Sequence, residues 1–171
     1  QIVHSVLQPA IRYKTEDCLD LPEQLITTRE LDMTPQQKKY YDKLRKEMLI
    51  QAAGEEVTAV NAAVKLGKLL QIASGAIYSD TGEVVEFDCK TKLDELLDVI
   101  TQSSHKTLVF CNFRHSIDMV RDFLNKHNIT SEAIHGGVSA GKRTAIFDEF
   151  QKNSNPQVLI IQPQAAAHGV T

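Results

Sequence analysis

The sequence predicts an α/β domain whose parallel sheet is covered by helices on both faces. Three short segments, 107–111, 132–135 and 158–162, are predicted to be strands separated by two helices, and strands that alternate with crossover helices form parallel sheets. The chain has 171 residues, of which 42% are hydrophobic and 24% charged, so it can build one domain with its own core.

The lead-in to this sheet is predicted to be mainly helical. Residues 25–32 alternate weakly between apolar and polar side chains, which favours a short strand. Thr34 can cap a helix and Pro35 is tolerated at a first helical position, so a helix is predicted over 36–53. Gly54 is expected to end it.

A second helix and a β-hairpin are expected next. The spacing of apolar residues predicts a helix over 58–73. Two β-prone pieces within 76–85 flank a turn that contains glycine, which indicates a small hairpin insertion at the surface. We therefore divide the chain into a helical lead-in and hairpin region, 1–91, and an α/β core, 92–171.

The α/β core is predicted to begin with an amphipathic helix. Its apolar residues lie at i, i+3, i+4 and i+7, namely Leu93, Leu96, Leu97 and Ile100. The run 107–111 is predicted to be a strand buried on both faces, with Cys111 as a small buried hydrophobe. Ligands of parallel sheets bind at the carboxyl ends of the strands, so the loops that begin at Asn112, Gly136 and Pro163 are the candidate site.

Charge and metal-ligand content narrow the function. The net charge is −3, with 19 Lys and Arg against 22 Asp and Glu, whereas a free-standing nucleic-acid module is usually basic. The three cysteines and six histidines are scattered, so we expect reduced thiols and no metal site. No apolar stretch reaches the roughly 18 residues of a membrane-spanning helix. The two ends of the sequence predict cuts in a longer polypeptide.

The second loop nearly matches a phosphate-binding P-loop. Gly136, Gly141 and Lys142 fit the pattern G-x-x-x-x-G-K, but the next residue must be Ser or Thr to reach magnesium, and here it is Arg143. Thr144 comes one position too late. Since no apolar strand ends in an acidic pair either, a stand-alone P-loop enzyme is the weaker alternative.

The same loop resembles a segment of superfamily-two helicases. Residues 135–139 with Arg143, Phe147 and Phe150 resemble the pattern h-G-x-x-s-x-x-x-R-x-x-x-[IF]-x-x-F, which follows a strand of the second RecA-like lobe. Residues 106–116 resemble motif IV of these helicases. Residues 158–171 are similar to the start of motif V.

The lead-in narrows the resemblance to the Swi/Snf-type helicase-like ATPases. These proteins carry "L-P", then "L-T-x-x-Q-x-x-x-Y-x-x-L", an "L-R-Q-I" helix and an "S-K-L-x-x-L" helix. Similar residues occur here in the same order, at Leu21-Pro22, Leu31 to Leu44, Lys68 to Gly75 and Lys92 to Leu97. The resemblance covers nearly the whole chain and identifies it as a C-terminal RecA-like lobe of the P-loop NTPase type.

The resemblance implies a part of an ATP-dependent DNA helicase or translocase. ATP and Mg²⁺ would be held in the whole protein, against its N-terminal RecA-like lobe. This chain alone would bind neither of them tightly, and it would contain no catalytic residues and no metal ligands. It would contact the DNA backbone through Asn112, Phe113, Arg114, Gly136, Gly137, Arg143, Gln164 and His168. Gly169 and Thr171 would line the ATP cleft. The protein would be cytoplasmic, or nuclear in a eukaryote, without a membrane partner.

Departures from the family keep alternatives open. Motif V has Ala166 and Ala167 where the family has glycines, and Thr171 at the asparagine position, which indicates a divergent bacterial or phage branch. A non-catalytic helicase-like interaction module is therefore the alternative function. Each of these local features also has a simpler structural interpretation. Gly136 and Gly137 can serve merely as a tight turn, and Arg114 and His115 can cap or solvate a helix start. Arg143 can pair with Asp148 or Glu149.

Overall fold

A computed structural model describes residues 18, 20, 23–54, 59–79 and 81–166. The chain divides into two compact units, 1–30 and 31–171. In the first unit, residues 23–30 form neither helix nor strand, and Leu25 and Ile26 are 84% and 83% exposed. The strand predicted over 25–32 is therefore wrong. A weak alternation makes a strand only where a neighbouring backbone pairs with it, and the described residues provide none.

The second unit contains every helix and strand described below. The lead-in helices are α1 (Pro35–Gly54) and α2 (Ala59–Ser74), followed by a hairpin of β1 (Ala76–Tyr78) and β2 (Val84–Glu86). The core consists of α3 (Lys90–Gln102), β3 (Thr107–Phe110), α4 (Arg114–Lys126), β4 (Ser131–Ile134), α5 (Ala140–Lys152), β5 (Val158–Ile161) and the single turn α6 (Pro163–Ala166). None of the helices described is long and apolar enough to cross a membrane.

Helix α1 begins where the sequence predicts. Thr34 is only 6% exposed, and its Oγ1 accepts the N–H of Gln37 at 3.4 Å while donating to the carbonyl of Asp88 at 2.7 Å. The capping hydroxyl thus also ties the helix start to the chain that enters α3. Gln37 reaches in the other direction, because its Nε2 donates to the carbonyl of Ile72 in α2 at 2.8 Å.

The three core strands form a parallel sheet in the order β3–β5–β4. Val158 lies opposite Thr107 on one side and Ser131 on the other, and Ile161 lies opposite Phe110 and Ile134. All four residues of the central strand β5 are buried. Burial on both faces, which the sequence predicts for 107–111, is thus found in β5.

Two apolar clusters cover the two faces of the sheet. On one face Ala133, Val158 and Ile160 pack against side chains of α3 and α4, including Ile100 and Ile117. On the other face the cluster consists of Ile134, Leu159 and Ile161 with Ile146, Phe147 and Phe150 of α5. The predicted sheet with helices on both faces is confirmed, and it directs the carboxyl ends of three strands to one edge.

The prediction that β3 is buried on both faces is wrong. Its residues alternate, so that Leu108 and Phe110 are 48% and 62% exposed while Thr107 and Val109 are half-buried. Helix α5 packs on the β4 and β5 part of that face, which leaves the apolar side chains of the edge strand uncovered. Cys111, predicted as a buried hydrophobe, is half-buried.

The hairpin is more than a surface excursion. Strand β2 is exposed, but Ala76 of β1 is completely buried, and Phe87 N–H donates to the Gly75 carbonyl at 2.8 Å. The hydroxyl of Ser116 in α4 donates to the carbonyl of Ser74 at 3.3 Å. These contacts fasten the lead-in to the helix that follows β3.

Candidate functional site

Three loops meet at the carboxyl edge, by which we mean 111–113 after β3, 135–139 after β4 and 162–166 after β5. Parallel pairing of the strands brings these segments together, although they are separated by about twenty residues or more in sequence. Of the residues predicted to bind nucleic acid, Asn112, Arg114, Gly136, Gly137 and Gln164 are exposed here, while Phe113 and Arg143 are half-buried. His168, Gly169 and Thr171 lie outside the described residues.

Gln162 connects all three loops. Its main-chain N–H donates to the Ile134 carbonyl at 2.8 Å, its Nε2 donates to the Asn112 carbonyl at 3.4 Å, and its Oε1 accepts the Gly136 N–H at 3.4 Å. The two side-chain distances are long, so we infer weak bonds that set the spacing of the loops. Sequence reasoning assigned Gln162 no role, although a polar residue directly after four buried apolar ones is a usable signal.

Arg143 joins the second and third loops. Its Nε donates to the Val138 carbonyl and one terminal nitrogen to the Ala165 carbonyl, both at 2.9 Å, and the other terminal nitrogen lies 3.5 Å from the His135 carbonyl. These carbonyls, and neither Asp148 nor Glu149, are the partners of the guanidinium, and Asp148 pairs with Lys152 at 3.3 Å. The guanidinium therefore positions the loops through their carbonyl groups.

These contacts also weigh against the P-loop alternative. Gly141 and Lys142 lie in the first turn of α5, and Arg143 occupies the position that would need a magnesium-binding hydroxyl. The hydroxyl of Thr144 donates to the Ala140 carbonyl at 3.3 Å, back onto its own helix. Among the residues that the structure describes, no three His, Cys, Asp or Glu side chains converge to hold a metal ion.

Arg114 is held by a neighbour on its own helix. Its Nε and one terminal nitrogen each donate to an oxygen of the Asp118 carboxylate at 2.9 Å, one helical turn further on. The other terminal nitrogen contacts Nε2 of His135. Because Asp118 fixes the guanidinium in a fork geometry, this second terminal nitrogen of Arg114 is directed across the carboxyl edge towards the second loop.

The second loop is a tight turn closed by its own residues. The N–H of Val138 donates to the His135 carbonyl at 3.0 Å, and the N–H of Gly137 donates to the His135 Nδ1 at 3.0 Å. The pKa of His135 is lowered, first by burial and then by the nearby Arg114, with an opposing contribution from Asp118. The imidazole is therefore neutral at pH 7.

His115 is a buried histidine whose ring nitrogens lack partners among the described residues. It is 6% exposed, and neither Nδ1 nor Nε2 makes a hydrogen bond. The ring stacks on Phe113 at 5.6 Å between centroids and meets the edge of Tyr78 at 5.2 Å, while the Tyr78 hydroxyl accepts the His115 N–H at 3.2 Å. This aromatic contact joins the hairpin to the first loop.

Stability should fall in acid because of His115. Burial lowers the pKa of this histidine, and Asp118 opposes the shift only in part. The neutral ring therefore stabilises the fold fully above the ordinary pKa of 6.5, and this stability is lost as the pH falls from there through the lowered folded-state pKa. In thermal unfolding, the Tm of the wild-type chain should drop more between about pH 7.5 and 5.5 than that of His115→Phe. Parallel pH profiles of the two proteins would contradict this assignment.

A cavity lies beneath the first loop. It measures about 300 Å³ and is lined mainly by apolar groups of α3, α4 and the end of β3, together with Cys89 and Cys111. Burial raises the pKa of both thiols, and the nearby Lys92 opposes this shift. Both cysteines are therefore protonated at neutral pH, which makes them poor nucleophiles.

Residues 91–171 match the family described as helicase conserved C-terminal domain. The CHD3-type chromatin-remodeling factor PICKLE of Arabidopsis thaliana is 24% identical over 185 residues, which covers 98% of this chain and 13% of that protein. The putative protein p41 of Acyrthosiphon pisum secondary endosymbiont phage 1 is 28% identical over 90% of this chain and 31% of its own length.

A solved structure shares the fold. The Sulfolobus solfataricus SWI2/SNF2 ATPase core in complex with dsDNA superposes with a TM-score of 0.61 at 19% identity, over 76% of this chain and 29% of that chain. The present chain thus spans less than a third of each of these three proteins.

Proposed function

Because this chain is a RecA-like C-terminal lobe of the Swi/Snf type of helicase, we propose that it forms half of the motor of an ATP-dependent DNA translocase. Its carboxyl edge contacts the phosphate backbone of DNA. The loop after β5 forms one wall of an ATP cleft that the N-terminal RecA-like lobe of the same polypeptide completes. By itself the chain neither hydrolyses ATP nor binds DNA tightly.

One observation carries the nucleic-acid part of this proposal. At the carboxyl edge the guanidinium of Arg114 contacts one nitrogen of the His135 ring, and the N–H of Gly137, an exposed glycine of a separate loop, donates to the other ring nitrogen. Cationic side chains and main-chain N–H groups are the usual donors to phosphate oxygens, and such contacts position a protein on nucleic acid independently of base sequence. The SWI2/SNF2 core of similar fold is itself in complex with dsDNA, which supports DNA as the partner.

The nucleotide part of the proposal rests on family membership. In motors of this kind ATP binds between two lobes, of which the first holds the phosphates and the metal ion and the second adds charge to the transition state. The described residues do not fit Mg²⁺, since no group of three metal-ligating side chains converges. We therefore assign Mg²⁺ to the other lobe. The proposed contribution of Gly169 and Thr171 to the cleft wall comes from their positions in motif V.

Arg114→Ala tests the DNA contact. We expect the Kd for a short fluorescein-labelled DNA duplex, measured by anisotropy at low salt, to rise about 3- to 10-fold because a phosphate-facing cation is lost. The slope of log Kd against log salt should fall by about 1, the value for one phosphate contact.

Lys152→Ala is the matched control. It removes one positive charge at the far end of α5, where Lys152 pairs with Asp148 at 3.3 Å, and should leave both quantities nearly unchanged. If the two variants weaken binding equally, the chain has only a diffuse electrostatic attraction and the carboxyl edge is not the binding surface.

The alternative of a non-catalytic interaction module has one observation in its favour. Ala165 and Ala166 pack against the apolar cluster of α5 and β5. Small residues that were open at these positions would instead let a phosphate approach the backbone. The two proposals differ in one measurement. Joined to a first lobe and the remaining C-terminal part, a motor lobe should support DNA-stimulated ATP hydrolysis, whereas an interaction module should not.

A further inference from the structure

We infer that the imidazole of His135 occupies the phosphate position of the carboxyl edge, so that a DNA phosphate must displace this ring in order to bind. The inference rests on the proposed function and assigns it a self-blocking residue. Its basis is that both ring nitrogens of His135 face hydrogen-bond donors, namely the N–H of Gly137 at Nδ1, at 3.0 Å, and the guanidinium of Arg114 at Nε2.

These two contacts cannot both be hydrogen bonds. A neutral imidazole has one acceptor nitrogen and one N–H donor, and a protonated imidazole has no acceptor at all. Main-chain N–H groups and guanidinium groups only donate. In every protonation state, therefore, at least one of the two donors faces a ring nitrogen that carries a hydrogen, and its hydrogen-bonding capacity is left unmet.

A phosphate group satisfies both donors. Each non-bridging oxygen is a pure acceptor, so one group can accept from Gly137 and from Arg114 where the imidazole can serve only one of them. A third donor is close by, since the N–H of Gly136 makes only a 3.4 Å contact with the Oε1 of Gln162. The N–H of Gly137 and the guanidinium of Arg114 both point at the place where the ring lies.

The surroundings of the His135 ring allow it to move out of this position. Gly136 and Gly137 are exposed and His135 is half-buried, so the imidazole can swing into solvent by rotation about its side-chain bonds. A Cβ atom on Gly137 would lie 3.1 Å from Cε1 and 3.2 Å from Nδ1 of this ring. Because Gly137 has no side chain, the imidazole can occupy this space, and a phosphate oxygen can occupy it when the ring moves away.

Asp118 sets the orientation and moderates the affinity. Its carboxylate holds Arg114 through two bonds of 2.9 Å and leaves one terminal nitrogen for the ring or for a phosphate. The negative charge of Asp118 also opposes an anion at this place. A single phosphate should therefore bind weakly, and a nucleic acid that engages several sites of the lobe should bind better.

His135→Ala in the full chain is the test. With the competing ring removed, the Kd for a short fluorescein-labelled DNA duplex at low salt should decrease about 2- to 10-fold, the range expected from freeing one or two hydrogen-bond donors. His105→Ala is the matched control, because His105 is an exposed histidine in the loop that precedes β3, and it should leave the Kd unchanged. Weaker or unchanged binding by His135→Ala overturns the inference.

A second readout separates this inference from the proposed function. In ¹⁵N–¹H NMR spectra, addition of inorganic phosphate should shift the Gly137 amide signal more in His135→Ala than in the wild-type chain. If Arg114→Ala weakens DNA binding but His135→Ala changes neither quantity, the DNA contact stands and the self-blocking role is wrong. If Arg114→Ala has no effect on DNA binding, the proposed function itself fails.

Discussion

Gly75→Ala is expected to lower the free energy of unfolding by roughly 2–6 kcal/mol. Gly75 has a φ of +112°, a backbone conformation that residues with a side chain rarely adopt. A Cβ atom here would also lie 2.6 Å from the Sγ of Cys89 and 2.6 Å from the Cε of Met119. Backbone strain and overlap act together, because the turn between α2 and β1 packs directly on the start of α3 and on α4.

Gly82→Ala separates these two causes. Gly82 also has a positive φ, of +87°, but a Cβ atom on it would meet no atom within 4 Å. This variant should therefore lose only about 1–2 kcal/mol, from backbone strain alone. Urea unfolding of both variants, followed by far-UV circular dichroism, measures the difference. Equal losses would mean that the close packing around Gly75 contributes nothing to stability. That result would contradict the contacts by which the hairpin is fastened to α3 and α4.

Ile160→Ala should destabilise the chain by about 2–5 kcal/mol, the usual loss for truncating a fully buried isoleucine. Ile160 is 0% exposed in the central strand and belongs to the cluster between the sheet and helices α3 and α4. Its removal leaves a cavity that three elements border, so the surrounding structure can collapse only in part. The same strand carries Gln162 to the carboxyl edge, so we expect a loss of order there as well.

Leu108→Ala is the matched control on the same sheet. Leu108 is 48% exposed on the edge strand β3, and its truncation should lower the free energy of unfolding by about 1 kcal/mol or less. Chemical denaturation of the two variants tests the observed burial directly. A loss at Leu108 as large as that at Ile160 would show that the outer face of β3 is covered in solution.

The elements of the core follow from local pattern. The segments predicted as strands, 107–111, 132–135 and 158–162, overlap with β3, β4 and β5. For 107–111 and 158–162 the reason is local, because a short apolar run that includes β-branched residues has few other ways to bury its side chains. Thr34 and Pro35 begin α1 for an equally local reason, since a capping hydroxyl and a fixed φ act within one turn. The position of the candidate site at the ends of these strands follows from the parallel topology.

The roles of individual site residues depended on contacts between distant segments. The strand order β3–β5–β4 left Leu108 and Phe110 uncovered, although their run is as apolar as that of β5. Arg143 donates to the carbonyls of Val138 and Ala165. From the sequence alone, the nearby carboxylates of Asp148 and Glu149 are equally good candidates for its partner.

The physical reason is the range over which each effect operates. Helix and strand formation depend on side chains a few residues apart, and these are visible in a sequence. Burial and hydrogen bonding depend on which loops the sheet brings together, as when Arg114 and Gly137 meet on opposite sides of the His135 ring. Their separation of more than twenty residues hides that meeting in the sequence, and the folded sheet alone creates it.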